Sequence, residues 1–581
     1  MAPGVHSMVA LRPNLPRASR MRVWSWGSLI WLVVAAVMVI LIVDPLVRLV
    51  GISFHEAGPG GAWTLANYGA AFNKVRYIVG FRNSLLLGLS VACVCVVLGV
   101  PLAWAVSRTD MPCKGLVRTL VLATFVTPPF LGAMSWILLA SPRAGWLNAA
   151  FMAIFHTGHG FLDIYTFPGI VFVLAIYSFP YIFVFTVAAL DLISSEMEEA
   201  ANILGAGRIR TTLRVTLPLA LPAILAGFAL TFLEAISIIS STIMVAIPAR
   251  INLIPLQLWA FFSYPLRVEV AAAYSMPLLM IAVSMYWFQK LALGRKGYTV
   301  LTGKGGQRRP TELGPFRWLM LGYCMFVLVL SVILPYLVLG LGAFSHSWTR
   351  GLSISNFSLE NFAFLFSSYN LAPQSIVNTF VYSAVTATVG VLLAFCVAYT
   401  VNRKLVPFGG VLGALALTPL VIPGIVLAIG FYAAYAPPPL SLAGTATILV
   451  LAFITRFLPI AYASIASAIG GLNVELEEAA RILGGGRFFV LCKVLTPILK
   501  QNLAGAWLLV FILTTREVSS ALFLYGPRTR TMSVLFFDLA ENGRFEVLCA
   551  LGVILLGTAL AFVFLGQMVV GRDFMVQRSS S

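Results

Sequence analysis

Twelve mostly apolar stretches, each roughly as long as a helix must be to cross a bilayer core, limit what this chain can fold into. They fall at 26–47, 83–107, 116–140, 168–190, 218–245, 269–289, 318–343, 377–401, 409–434, 444–468, 502–524 and 547–570. Lipid offers no partner to a backbone N–H or C=O, so runs of this length read as helices, whose hydrogen bonds close within the segment. Of the 581 residues 60% are hydrophobic and 10% charged, whereas a soluble domain carries about 25% charged residues. A water-soluble globular enzyme is thereby excluded. The expected fold is all-α and polytopic, with about 12 transmembrane helices. The first run continues into Asp44-Pro45-Leu46 without a small-residue cleavage site, so it reads as a retained span and not as a signal peptide.

The net charge of +18 follows the positive-inside pattern. With a cytoplasmic N-terminus, 25 of the 38 Lys and Arg residues fall on the inner side and 11 on the outer, while Arg456 and Arg516 lie within spans. This split predicts that both termini are cytoplasmic, and it removes any need for a nucleic-acid partner. The seven cysteines show no disulfide or metal spacing. The most basic segment, 290–317, holds Gly297-Tyr-Thr-Val-Leu-Thr-Gly-Lys-Gly305, a passing likeness to a phosphate loop. It has five residues between the glycines, not four, and Gly305 where Ser or Thr should hold magnesium. It reads as a linker.

The segments on either side of that linker repeat one another. Thr64-Leu65-Ala66-Asn67-Tyr68 parallels Ser358-Leu359-Glu360-Asn361-Phe362 at an offset of 294, and Asn83/Asn378 and Arg108/Arg403 are paired at 295. Pro180/Pro459 and Glu199/Glu478 are paired at 279, the change being absorbed mainly where 141–167 is longer than 435–443. Six spans per copy give both copies the same orientation, with a pathway expected between them. The implied organisation is a tail (1–25), a first module (26–290), the linker (291–317), a second module (318–571) and a tail (572–581).

Two cytoplasmic loops, 191–217 and 469–501, carry one motif twice. Glu198-Glu199-Ala200-Ala201 leads to Gly205 and on to Pro218, and Glu477-Glu478-Ala479-Ala480 leads to Gly484 and on to Pro497. Glu and Ala favour helix, acidic residues suit the positive N-terminal end, glycine ends the helix, and proline opens the next span. The pattern resembles the Glu-Ala-Ala loop in permease subunits of bacterial binding-protein-dependent ABC importers, and over nearly the whole chain most resembles the fused two-module ferric-iron group. Supporting residues are Arg456-Phe457-Leu458-Pro459 and Arg516-Glu517-Val518-Ser519. One departure stands out: Ile238-Ile239-Ser240 follows Leu233-Glu234-Ala235 where that group usually has Asp-Phe-Gly.

The resemblance implies a type I importer permease of the bacterial inner membrane. A periplasmic binding protein would deliver cargo to the loops 51–82, 141–167, 246–268, 345–376 and 524–546. Glu198, Glu199, Ala200, Ala201 and Gly205, with Glu477, Glu478, Ala479, Ala480 and Gly484, would form coupling helices docked on a separate homodimeric ATPase. ATP and Mg would bind that partner, and this chain would hold no cofactor and catalyse nothing. Ferric iron is the leading cargo, with thiamine, 2-aminoethylphosphonate, polyamines or sugar phosphates as alternatives. A twelve-helix secondary transporter would share the parallel halves but gives no reason for twin Glu-Ala-Ala loops.

Glu234, Arg456, Arg516 and Glu517 lie inside apolar spans. A charge there costs at least ~2.5–3.5 kcal/mol, so each should face the bundle interior. They are expected either to line the pathway or gate, or to be packing pairs such as Arg456 with Glu517. His156 and His159 have a metal-like spacing but lack carboxylate companions, and they read as loop histidines.

Overall fold

The computed structural model describes residues 26–570 apart from 57–60, 194, 264, 295–309 and 352. The expected tails and the middle of the basic linker lie outside these residues. Among the described residues the regular structure is helical, with three isolated β-bridges and no strand. Among the described residues nine helices are long and apolar enough to cross a membrane, or up to twelve if each of three bent pairs counts as one span.

The bent pairs correct the reading of 116–140 and 409–434 as continuous helices. Lys114–Val126 and Pro129–Ala140 meet at 98°, and Gly409–Val421 and Gly424–Tyr435 at 112°. Proline excludes the preceding residue from the helical region. Thr127 (ψ 124°) precedes Pro128 and Ile422 (ψ 124°) precedes Pro423, so both copies turn at their prolines. The runs 218–245 and 502–524 are likewise interrupted: Leu217–Ser237 gives way to Ser240–Ala246, and Lys500–Thr515 to Ser519–Leu524.

The repeat is visible element by element. Val75–Arg108 packs on Phe167–Leu192 as Leu371–Asn402 packs on Ala446–Gly470, and Val268–Gly294 corresponds to Phe545–Val570. Its landmark asparagines do the same work twice. Asn67 Nδ2 donates to the carbonyls of Ser53 (3.2 Å) and His55 (2.7 Å), and Asn361 Nδ2 to those of Ala343 (3.0 Å) and Ser345 (2.8 Å).

The first span of each module leans on the other module. Pro45 has no N–H for the Leu41 carbonyl four residues back, and a π-helical turn, Val39–Val43, precedes it. Thr455 Oγ1 donates to that Leu41 carbonyl at 3.4 Å, and Tyr435 Oη donates to Ile40 at 2.5 Å. In the other copy the turn is Val329–Ile333, ahead of Pro335. There Ser331 meets Thr124 at 3.0 Å and Tyr336 meets Thr127 at 2.8 Å. The modules thus interlock around a shared interior.

Candidate functional site

The two Glu-Ala-Ala segments form short helices, Ser195–Ile203 and Glu475–Ile482, with acidic residues in their first turns. Each ends at a glycine in the left-handed region, Gly205 (φ 80°) and Gly484 (φ 87°). Beyond it the N–H of Ala206 reaches the Ala201 carbonyl, and that of Gly485 the Ala480 carbonyl, both at 3.0 Å. This left-handed cap reverses the chain and returns it toward the next span.

Adjacent glutamates in the motif face opposite ways. Glu477 is buried, accepting from Arg403 Nε at 2.7 Å and from Tyr399 Oη at 3.1 Å. Glu198 accepts from Thr216 Oγ1 at 2.7 Å and lies 3.8 Å from Arg108. Arg108, the last residue of Val75–Arg108, also donates to the carbonyls of Leu190 and Ile193, while Arg403 reaches that of Leu472 at 3.4 Å. One arginine per module therefore ties a long span, the end of the span it packs against and the surface helix together. Glu198 and Glu477, grouped by sequence with the outward residues, are turned into the protein as anchors.

Glu199, Ala200, Glu478 and Ala479 are exposed, and Ala201 and Ala480 half-buried. Beside them stand two apolar pairs absent from the sequence reading: Ile203 and Leu204, 86% and 87% exposed, and Ile482 and Leu483, 85% and 88% exposed. Their signal was the exact recurrence of Ile-Leu before the glycine in both loops. In the sequence Arg108 and Arg403 stand out only as matching positions of the repeat.

Glu234, Arg456, Arg516 and Glu517 border one cavity of about 340 Å³ between the modules. Arg456 Nε lies 3.3 Å from Glu517 Oε2, and Glu517 Oε1 accepts from the Ser520 N–H at 2.9 Å. Arg516 donates to the Phe125 carbonyl across the interface, sits 5.0 Å from the Phe125 ring centre, and is 3.4 Å from Tyr181 Oη. Tyr181 and Glu234 line the same cavity. Arg456 and Glu517 are thus an ion pair, and both line the cavity. Ser237 and Ser240 also line it, flanking the break at Ile238-Ile239. The fit is close at Gly424, where a Cβ would stand 2.6 Å from Arg456 Cζ. His156 and His159 are exposed in the loop after Trp146–Phe155, and no group of three or more His, Cys, Asp or Glu suited to a metal occurs among the described residues.

Comparison with known proteins matches residues 95–298 to the family described as binding-protein-dependent transport system inner membrane component. The ferric transport system permease protein FbpB of Actinobacillus pleuropneumoniae is 26% identical over 518 residues, covering 87% of this chain and 73% of that protein. A probable molybdenum ABC transporter permease of Haloferax volcanii is 31% identical over 206 residues, covering 35% of this chain and 70% of that protein. The spermidine/putrescine permease PotC of Escherichia coli strain K12 is 25% identical, covering 44% and 95%. Among solved structures, a bacterial alginate ABC transporter in complex with an alginate pentasaccharide-bound periplasmic protein aligns at TM-score 0.37 and 17% identity, over 46% of this chain and 94% of that one.

Proposed function

Because the chain belongs to the binding-protein-dependent transport system inner membrane component family, and is thus a multi-pass inner-membrane permease subunit of an ABC importer, we propose that it carries ferric iron received from a periplasmic binding protein. The cargo assignment rests on the match to a permease named for ferric transport over 87% of this chain; the polyamine relative matches 44%.

The twin anchored helices support the mechanism. A homodimeric cytosolic ATPase docks on the outward faces bearing Glu199, Ile203 and Leu204, and Glu478, Ile482 and Leu483. ATP and Mg belong to that ATPase. When the ATPase closes, it displaces the two helices, and each displacement passes through Arg108 or Arg403 into a span more than 30 residues long. Rigid-body motion of this kind opens the interior to one side and then the other. The cavity holding Glu234, Arg456, Arg516 and Glu517 is the part of the pathway the cargo crosses, and both termini and the coupling helices lie on the cytoplasmic side.

Proteoliposomes containing this chain, its ATPase and iron-loaded binding protein test the proposal. It predicts uptake of labelled ferric iron that requires internal ATP. Uptake of thiamine, 2-aminoethylphosphonate, a polyamine or a sugar phosphate in place of iron, each with its own binding protein, would reassign the cargo.

A further inference from the structure

Where the first Glu-Ala-Ala segment turns back toward its span, a groove of about 1640 Å³ runs between that segment, the Val75–Arg108 helix and the start of the second module's first helix, Phe316–Leu328. Pro101 leaves the carbonyl of Val97 without its helical donor, and Tyr323 Oη donates to it at 3.0 Å, closing the floor of the groove. Leu319 and Phe326 in its wall are 71% and 63% exposed. At one end stand Arg210 and Arg214, both exposed and four residues apart, with Trp318 also on the lining. Neither arginine has a carboxylate partner among the described residues.

A long apolar trough ending in paired cations and a tryptophan is complementary to a molecule with an acyl chain and an acidic head. Tryptophan favours the headgroup level, and arginines near the membrane surface attract anionic lipid. The other module supplies an internal comparison: at the offset of 279, Phe489 and Lys493 replace Arg210 and Arg214, so the cationic pair occurs once. We propose that this groove binds an anionic phospholipid, its phosphate held by Arg210 and Arg214 and an acyl chain lying along Tyr323 and Phe326. The lipid would then join the segment following Gly205 to the first span of the second module, making one coupling helix responsive to membrane charge.

Native mass spectrometry of the full-length chain in detergent tests this without the ATPase or cargo, so its failure leaves the transport reading untouched. The chain is titrated with phosphatidylglycerol or phosphatidylcholine of matched acyl chains. The expected preference for phosphatidylglycerol is roughly thirtyfold, the effect of two arginines near a charged headgroup. R210Q/R214Q should bring the two lipids close to parity while still capturing phosphatidylcholine, K493Q should change nothing, and excess inorganic phosphate should not displace the lipid. Parity in the unaltered chain, an undiminished preference in R210Q/R214Q, an equal loss in K493Q, or displacement by inorganic phosphate would overturn the proposal. Should R210Q/R214Q capture neither lipid, R210F, which copies the second module, decides by the same criterion.

Discussion

Arg403 and Glu477 meet at 2.7 Å with the glutamate side chain 6% exposed, whereas their counterparts Arg108 and Glu198 stand 3.8 Å apart with the glutamate 13% exposed. The arginine–glutamate contact is therefore the closer one at the second surface helix. Tyr399 adds a further bond to Glu477, and Thr216 takes that place at Glu198.

Removing one partner of a largely buried ion pair strands the other charge, at a cost of roughly 3 kcal/mol or more. Glu477→Ala should accordingly destabilise the chain by about 3 kcal/mol. Glu198→Ala should cost less, because the contact is longer and Arg108 keeps its bonds to the Leu190 and Ile193 carbonyls. Thermal unfolding of both variants in detergent checks the order; equal losses would contradict the asymmetry.

The exposed Ile-Leu pairs should act at the interface and not in folding. Apolar anchors enclosed by a partner commonly account for about 2 kcal/mol or more of binding each. I203S/L204S or I482S/L483S should each weaken ATPase binding by more than tenfold, and the four-fold variant should abolish it. The unfolding temperature of the permease alone should stay unchanged, because these side chains touch little within it. Pull-down and unfolding measurements on the same preparations separate the two effects.

In the cavity, Gly424 admits the guanidinium of Arg456, which pairs with Glu517. Gly424→Ala should cost about 1–3 kcal/mol through overpacking. The penalty should shrink in an R456A/E517A background, where the obstructing group is gone. A double-mutant comparison of unfolding temperatures measures the coupling, and identical penalties in both backgrounds would contradict the packing described.

Much of this was legible in the sequence because the signals were long or duplicated. Twenty-residue apolar runs, Asn67 with Asn361, and two Glu-Ala-Ala loops with their glycines located the modules and the surface helices. The sharp bends at Pro128 and Pro423 were missed because a hydropathy window averages over the two prolines that cause them. The opposed facing of Glu198 and Glu199 was not readable either: neighbouring helical residues are set about 100° apart, and only the positions of Arg108 and Arg403 decide which glutamate turns inward. The meeting of Glu234, Arg456, Arg516 and Glu517 depends on helix packing across two modules, which no local pattern encodes.

Asn361 offers a test of the repeat's structural meaning. Its amide bridges two carbonyls that join the end of the second module's first span to the loop beyond. Asn361→Ala should cost roughly 1–3 kcal/mol, since buried carbonyls lose their donor, and Asn67→Ala should show a similar loss. Unfolding temperatures for the two single variants check whether the copies are equivalent.

The most direct test of the coupling role measures ATP-driven uptake in proteoliposomes carrying the I203S/L204S/I482S/L483S chain beside the unaltered one, both with ATPase and loaded binding protein. The account predicts uptake by the unaltered chain only when ATP is supplied inside, and none by the variant. Uptake by the chain alone, or undiminished ATP-driven uptake by the variant, would contradict it.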